Sequence, residues 1–389
     1  MHSNLAAWLE RIEKETLPAL PRSMEALGLL MQDENTPLPA YAGVVSRDPG
    51  LTVALLRRVH ATRKRRLTTE ITTVEHALML LGLSQVRALF PTVPLLDTLV
   101  ADDLVRTRLL ELYMHGNEAA VHAREWARRR KDIEPDEVQC AALLHDLGKM
   151  LLWQHAPQEM AKVGEMLRAS PEMHADEAAY LVFGFSFEEL TAQLVARWGL
   201  PSLLSESLHA ENAQNPRVAG IMLASKLIRA ATYVGWYSSA VTKLLEELAD
   251  HLHVDFDSAT SLVHRTAADA ARALPCPRTL PTASTLIFPA QPEAERGHTR
   301  VASTAFCLMP QPSVLREALN RLQRHEQGGL PVKDILQLTT EALHEGVGLT
   351  RVVFASLAKD GSMKARNVVC VDPDPKFSRF ELELRDGNL

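Results

Sequence analysis

The 389-residue chain has little cysteine, and what it has is scattered. Cys140, Cys276, Cys307 and Cys370 form no CxxC pair and are too few to staple a chain of this length, so a disulfide framework is excluded and reduced thiols are expected. Long apolar runs are also missing. No stretch approaches the roughly 20 apolar residues needed to span a bilayer. The first twenty residues are broken by Glu10, Arg11, Glu13, Lys14 and Glu15, so they lack the apolar heart of a signal peptide. A cytoplasmic location is the expectation. Charge of one sign is not in excess either: a net charge of -6 gives no global pull toward nucleic acid or an anionic membrane. β-strand signals are scarce as far as Leu274.

What is present is helical periodicity. From about Leu5 to Leu274 apolar residues recur at three- and four-residue steps, as in Leu51, Ala54, Leu55 and Val59, or over Val74 to Leu83 with Gly82 as a stop. Leu17 to Pro21, Asp48-Pro49-Gly50 and Gly199-Leu200-Pro201 punctuate the helices, since proline lacks an amide proton and glycine tolerates positive φ. The composition then shifts. Seven of the chain's 22 prolines fall between Leu274 and Ser313, which marks a linker or an extended wrap whose Leu286-Ile287-Phe288 is suited to docking on a neighbouring surface. Beyond it, Ile335, Leu338, Thr339, Ala342 and Leu343 have amphipathic-helix spacing, begun after Pro331 and closed by Gly346. Arg351 to Leu357 and Ala365 to Val371 predict a hairpin around Lys359-Asp360-Gly361, and Phe380 to Leu384 is strand-like. The expected fold class is mainly α, a helical bundle over residues 1–274, then a Pro-rich linker over 275–312 and a small α/β segment over 313–389.

The sharpest chemical feature is an adjacent pair, His145-Asp146, interrupting an apolar helical pattern in Ala141-Ala142-Leu143-Leu144-His145-Asp146-Leu147-Gly148-Lys149. Two polar groups buried side by side are costly unless they bind something or each other. An imidazole and a carboxylate are ligands for a divalent ion, and His115, on a helical pattern from Leu109 to Trp126, could supply a third from a facing helix.

His115 followed by His145-Asp146-Leu-Gly-Lys resembles the opening of the HD superfamily of metal-dependent phosphohydrolases, in which a histidine, the His-Asp doublet and a later aspartate hold metal. The wider text is similar to one branch, the HDOD domains. Leu17-Pro18-Ala19-Leu20-Pro21, Val45-Ser46-Arg47-Asp48-Pro49-Gly50-Leu51, Val74-Glu75-His76-Ala77 with Leu81-Gly82-Leu83, and Trp198-Gly199-Leu200-Pro201 carry that resemblance over roughly residues 15 to 230. It implies a helical domain, bacterial signal transduction through protein partners, and lost hydrolase function. Partners in cyclic-di-GMP or two-component networks are expected, and a homodimer stays open.

Departures from the active relatives point the same way. The stretch aligned with the late metal aspartate is Leu223-Ala224-Ser225-Lys226-Leu227, which offers a hydroxyl and a cation. Phe187 stands where many relatives show a histidine, His209 lacks an adjacent histidine, and no Gly-Tyr-Pro motif is present. Three readings of His115, His145 and Asp146 follow: a satisfied polar pair, a vestigial site for Fe, Mn or Zn, or a catalytic metal centre. The first leads, because buried polar groups are normally partnered. No cofactor is expected, and the competing function is a metal-dependent phosphohydrolase acting on a nucleotide or phosphate ester.

Two basic clusters complete the candidates. Arg57, Arg58, Arg63, Lys64, Arg65 and Arg66 could meet phosphate or an acidic partner, although no aromatic interleaves them and a solvated helix end is the commoner origin of such a run. Arg124, Arg128, Arg129, Arg130 and Lys131 form the second, with a solvated face again expected. His122 lies seven residues from His115 and reads as structural. The tail from Val332 resembles the beginning of a GAF domain, a small-molecule or dimerisation module, of which only the first half would fit before Leu389.

Overall fold

Proline and small polar caps decide where the helices begin. In the computed structural model the described residues are 2–33, 35–62, 70–170, 173–272, 281–286, 311–325, 331–349, 351–357, 362–370 and 381–383. They form two units, Met1–Ala290 and Gln291–Leu389. The first unit runs α1 (His2–Ile12), α2 (Pro21–Gln32), α3 (Leu38–Val45), α4 (Pro49–Thr62), α5 (Val74–Leu81), α6 (Leu83–Leu89), α7 (Leu96–Leu99), α8 (Asp103–Arg130) and α9 (Pro135–Leu143). It continues through α10 (Leu147–His155), α11 (Pro157–Ala169), α12 (Ala175–Phe183), α13 (Phe187–Trp198), α14 (Ser202–Glu206), α15 (Pro216–Tyr233), α16 (Ser239–Leu252) and α17 (Phe256–Arg272). Pro21, Pro135, Pro157 and Pro216 open their helices, where the missing amide costs nothing. Thr73, Asp102 and Ser238 cap others, Asn215 caps α15 just ahead of Pro216, and Ser186 with Glu189 makes a capping box on α13. None of the helices among the described residues is long and apolar enough to cross a membrane.

The core is built on α8, a 28-residue helix longer than the Leu109 to Trp126 pattern that announces it. Tyr113 and Trp126 on α8 are fully buried, together with Tyr41, Phe90, Phe183 and Phe185. α9, α10, α15 and α17 pack around it. Each such side chain removed from water contributes about 1.5–3 kcal/mol.

The two N-terminal signatures turn out to be halves of one joint. The Asp48 carboxylate is buried and accepts the amide of Leu20 at 2.8 Å and that of Leu51 at 3.1 Å. The Tyr113 hydroxyl donates to the Pro18 carbonyl at 2.9 Å. At Gly50 a Cβ would lie 2.2 Å from that same carbonyl oxygen, so only glycine lets the Leu17–Leu20 segment lie across the start of α4. The Trp198-Gly199 signature does similar work. Trp198 donates through its indole to the Glu13 carbonyl at 3.2 Å, and Gly199 ends α13 at φ 63° with the His60 ring against it.

Within the Pro-rich segment, the described residues 281–286 lie against the first unit. Thr282 donates its amide (3.1 Å) and its hydroxyl (2.5 Å) to the buried Glu118 carboxylate on α8, and its carbonyl accepts from Trp236 at 2.7 Å. Leu286 packs against the core, while Ile287 and Phe288 lie outside the described residues. The unit boundary therefore falls at Ala290, inside the expected linker.

In the second unit α18 (Pro312–His325), which no pattern in the sequence announced, precedes α19 (Val332–Glu341). α19 starts after Pro331, as expected, and ends in a π turn, Ala342–Gly346. Strands β1 (Arg351–Leu357), β2 (Ser362–Cys370) and β3 (Glu381–Glu383) form an antiparallel sheet in the order β1-β2-β3, with a bulge between Phe354 and Ala355. Asn367 on β2 donates to Thr340 on α19 at 2.8 Å. The expected turn at Lys359-Asp360-Gly361 lies outside the described residues.

Candidate functional site

Two glycines bring the His-Asp pair into place. α9 stops at Leu143, and His145 and Asp146 occupy the turn before α10. A Cβ at Gly116, next to His115, would lie 2.6 Å from the Leu143 carbonyl oxygen, so glycine lets α8 meet the end of α9. One residue past Leu147, the Gly148 amide donates to the Thr191 hydroxyl at 3.1 Å, and a Cβ there would lie 2.7 Å from that oxygen. The apolar run and its Leu-Gly-Lys ending thus set α10 against α13.

His115, His145 and Asp146 do come together: with Ser225 and Arg229 they line a space of about 10 Å³, the lower limit for a single water. Their partners are not those of a metal centre. Asp146 is ion-paired with Lys149 at 2.6 Å and with Arg229 at 3.8 Å. Although burial pushes its carboxyl up, those two cations and His145 pull it well below the usual carboxylate range. It is an ionised carboxylate with its charge already answered. Lys149 also sits over the Phe187 ring, 5.4 Å from its centroid.

The two histidines are electrostatically quiet. Burial drops His145 to about 4, against opposing pulls from Asp146 and from a hydrogen bond to the Ser207 backbone, so the ring is neutral at pH 7. Its Nδ1 has no partner among the described residues. Burial lowers His115 as well, with Asp146 acting against it, and its Nε2 lies 3.2 Å from the Thr232 hydroxyl. Among the described residues no group of three His, Cys, Asp or Glu side chains is placed to hold a metal ion. A divalent ion here would face Lys149 and Arg229 at close range, and the fit fails on charge.

Arg229 is the residue that the sequence did not bring forward. Ser225 and Lys226 stand in place of the late carboxylate, yet the α15 cation beside Asp146 comes one turn further along the helix, at Arg229. Ser225 and Arg229 are four residues apart and share a helix face, which is the signal that would have found it. The buried Ser225 hydroxyl has no partner among the described residues.

Next to this knot, α8, α10, α11 and α15 line a half-open cavity of about 580 Å³ that reaches from Asp146, Lys149 and Arg229 to Trp153, Met160 and Leu167. A smaller one, about 110 Å³, lies on the His174, Asp176 and Glu188 side of the pair. There the Asp176 carboxylate accepts the Phe187 amide at 2.8 Å, at the start of α13.

The basic run is only partly a surface. Arg57 donates to the carbonyls of Glu13 (2.7 Å) and Glu15, and its guanidinium stacks 4.2 Å from the Trp198 ring centroid. It is thus engaged inward, a fixture between α4 and the signature tryptophan. Arg58 is exposed, and Arg63, Lys64, Arg65 and Arg66 lie outside the described residues. In the second cluster Arg124 pairs with Asp136 at 2.7 Å and Arg130 with Asp132 at 2.9 Å. His122 is buried, its ring tilted 52° to that of Trp126 at 5.7 Å between centroids.

A helical domain with a His-Asp turn whose carboxylate is ion-paired with Lys149 and Arg229 defines the class. The HDOD domain model matches residues 17–214, and the chain belongs to the HDOD family. Among solved structures, the response regulator MmoQ from Methylococcus capsulatus str. Bath is similar at 23% identity and a TM-score of 0.50, over 64% of this chain and 98% of that one. A virulence factor from Campylobacter jejuni subsp. jejuni is similar at 19% identity and a TM-score of 0.50, over 69% of this chain and 96% of that one. An HDOD domain protein from Geobacter sulfurreducens is similar at 19% identity with a TM-score of 0.40, covering 70% and 95% respectively. At these identities the likeness is one of fold. No curated protein matches the chain. The family match ends at residue 214, so the resemblance of the tail to a GAF domain gains no support from it.

Proposed function

We propose that this chain is a non-catalytic bacterial signal-transduction protein, working in the cytoplasm through partner proteins bound by its HDOD domain. One observation carries the reading. The carboxylate that a metal-dependent relative would present to its ion is held at 2.6 Å by Lys149 and faced by Arg229, while the aligned late position offers Ser225. A two-metal hydrolase needs more ligands than His115 and His145. The response regulator among the structural neighbours accords with a place in signalling, and two-component or cyclic-di-GMP networks are the partner classes to examine first.

The competing reading, a phosphohydrolase, is tested by assaying the full chain with bis-p-nitrophenyl phosphate and with nucleoside phosphates in added Mn²⁺ or Fe²⁺. The expected result is turnover indistinguishable from that of His145→Ala. Metal-dependent hydrolysis that disappears in His145→Ala would establish the enzyme instead.

A further inference from the structure

The cavity beside the His-Asp turn has the makings of a receptor site. At about 580 Å³ it falls within the roughly 300–1,000 Å³ of small-molecule pockets. Leu112, Trp153, Met160, Val163, Leu167 and Tyr233 supply an apolar and aromatic lining from α8, α10, α11 and α15. Such linings with a few placed polar groups are the usual composition of ligand sites.

The polar groups are unbalanced toward positive charge. Arg108, Lys149, Arg168 and Arg229 line the cavity, against the carboxylates of Glu111 and Asp146. Arg108 is taken up by Glu111 at 2.8 Å. Lys149 is taken up by Asp146 at 2.6 Å. Arg229 is different: at 3.8 Å from Asp146 it is beyond hydrogen-bonding range, and it makes no hydrogen bond among the described residues. A half-exposed guanidinium with an unspent donor fork, next to Lys149 and opening on an apolar chamber, is suited to a carboxylate or phosphate. Tyr233, 68% exposed, and Leu104, 55% exposed, extend the apolar surface at the mouth.

We propose that this cavity binds a small organic anion with an apolar body, its acidic group seated on Arg229 beside Lys149 and its body between α8 and α11. With Lys149 taken up by Asp146, Arg229 supplies the unspent positive charge for the acidic group. This inference goes beyond partner binding and does not depend on it.

The test is competition for bound 8-anilinonaphthalene-1-sulfonate on the full chain, in excess EDTA so that no ion serves as the anchor. Sodium decanoate, 1-decanol and inorganic phosphate are the competitors. Decanoate is expected to displace the dye about tenfold more strongly than decanol or phosphate, since one charge-assisted contact of about 1.4 kcal/mol is a factor of ten. Arg229→Gln is expected to remove that preference while leaving decanol unchanged. Ala161→Trp, which fills the chamber from α11, should abolish all displacement, and Lys162→Gln on the exposed side of α11 should change nothing. Thermal melts of each variant establish that it is folded. Equal displacement by decanoate and decanol, displacement by phosphate alone, or a decanoate preference that survives Arg229→Gln in folded protein would each overturn the proposal.

Discussion

At the scale of single residues, burial sets the charge states, and its signs can be followed through pH. His122 is fully buried, neither ring nitrogen has a partner among the described residues, and burial, then His264, lowers it to about 3. A histidine depressed from about 6.5 binds fewer protons folded than unfolded, so its stabilising effect is present above pH 6.5 and fades as pH falls toward 3. His145, at about 4, acts in the same direction. Asp48 acts oppositely: burial raises it to about 6 despite four hydrogen bonds, so its contribution is present at low pH and is lost as pH rises from about 4 to 6. His122→Leu should therefore flatten the acid side of the stability curve. Wild-type protein is expected to lose roughly 2 kcal/mol through this ring between pH 7 and pH 5, a loss absent from the variant and measurable by urea unfolding at the two pH values. An identical pH dependence in the two proteins would count against the buried, neutral assignment.

At the scale of elements, signatures that are distant in sequence prove to be contact pairs. Gly50 and Pro18 touch through backbone, and Asp48 stitches the same two segments together. Gly50→Ala should lower stability by about 2 kcal/mol or more, because the new methyl group meets a carbonyl rather than a movable side chain. A melting temperature within a degree of wild type would mean that the joint is softer than described. Much of this level was legible. Helical periodicity gave α5 with its Gly82 stop, and α19 after Pro331, because amphipathic spacing and punctuation are local. The apolar pattern for α8 covers only Leu109 to Trp126 because the charged residues at its ends interrupt the stripe, and α18 starts at Pro312, where proline masks the helical signal. The residues of the candidate site were visible as a set, His115 with His145 and Asp146. Their meaning was not, because it depends on Arg229, whose distance from Asp146 is set by how α15 lies against α8 and α9. Tertiary placement also turned Arg57 from a member of a basic run into a half-buried clamp on Trp198.

At the scale of the whole molecule, the first unit contains the HDOD domain match, residues 17–214, and holds Thr282 against Glu118. The second is a small α/β unit with a three-stranded sheet. In the proposed function Lys149 and Arg229 answer the Asp146 charge that a metal ion would otherwise meet. Metal content is the deciding measurement. Elemental analysis of the full chain, purified without chelator and compared with His145→Ala, should find far less than one equivalent of Fe, Mn or Zn, with no difference between the two proteins. One or two equivalents in the wild type, lost in His145→Ala, would contradict the account.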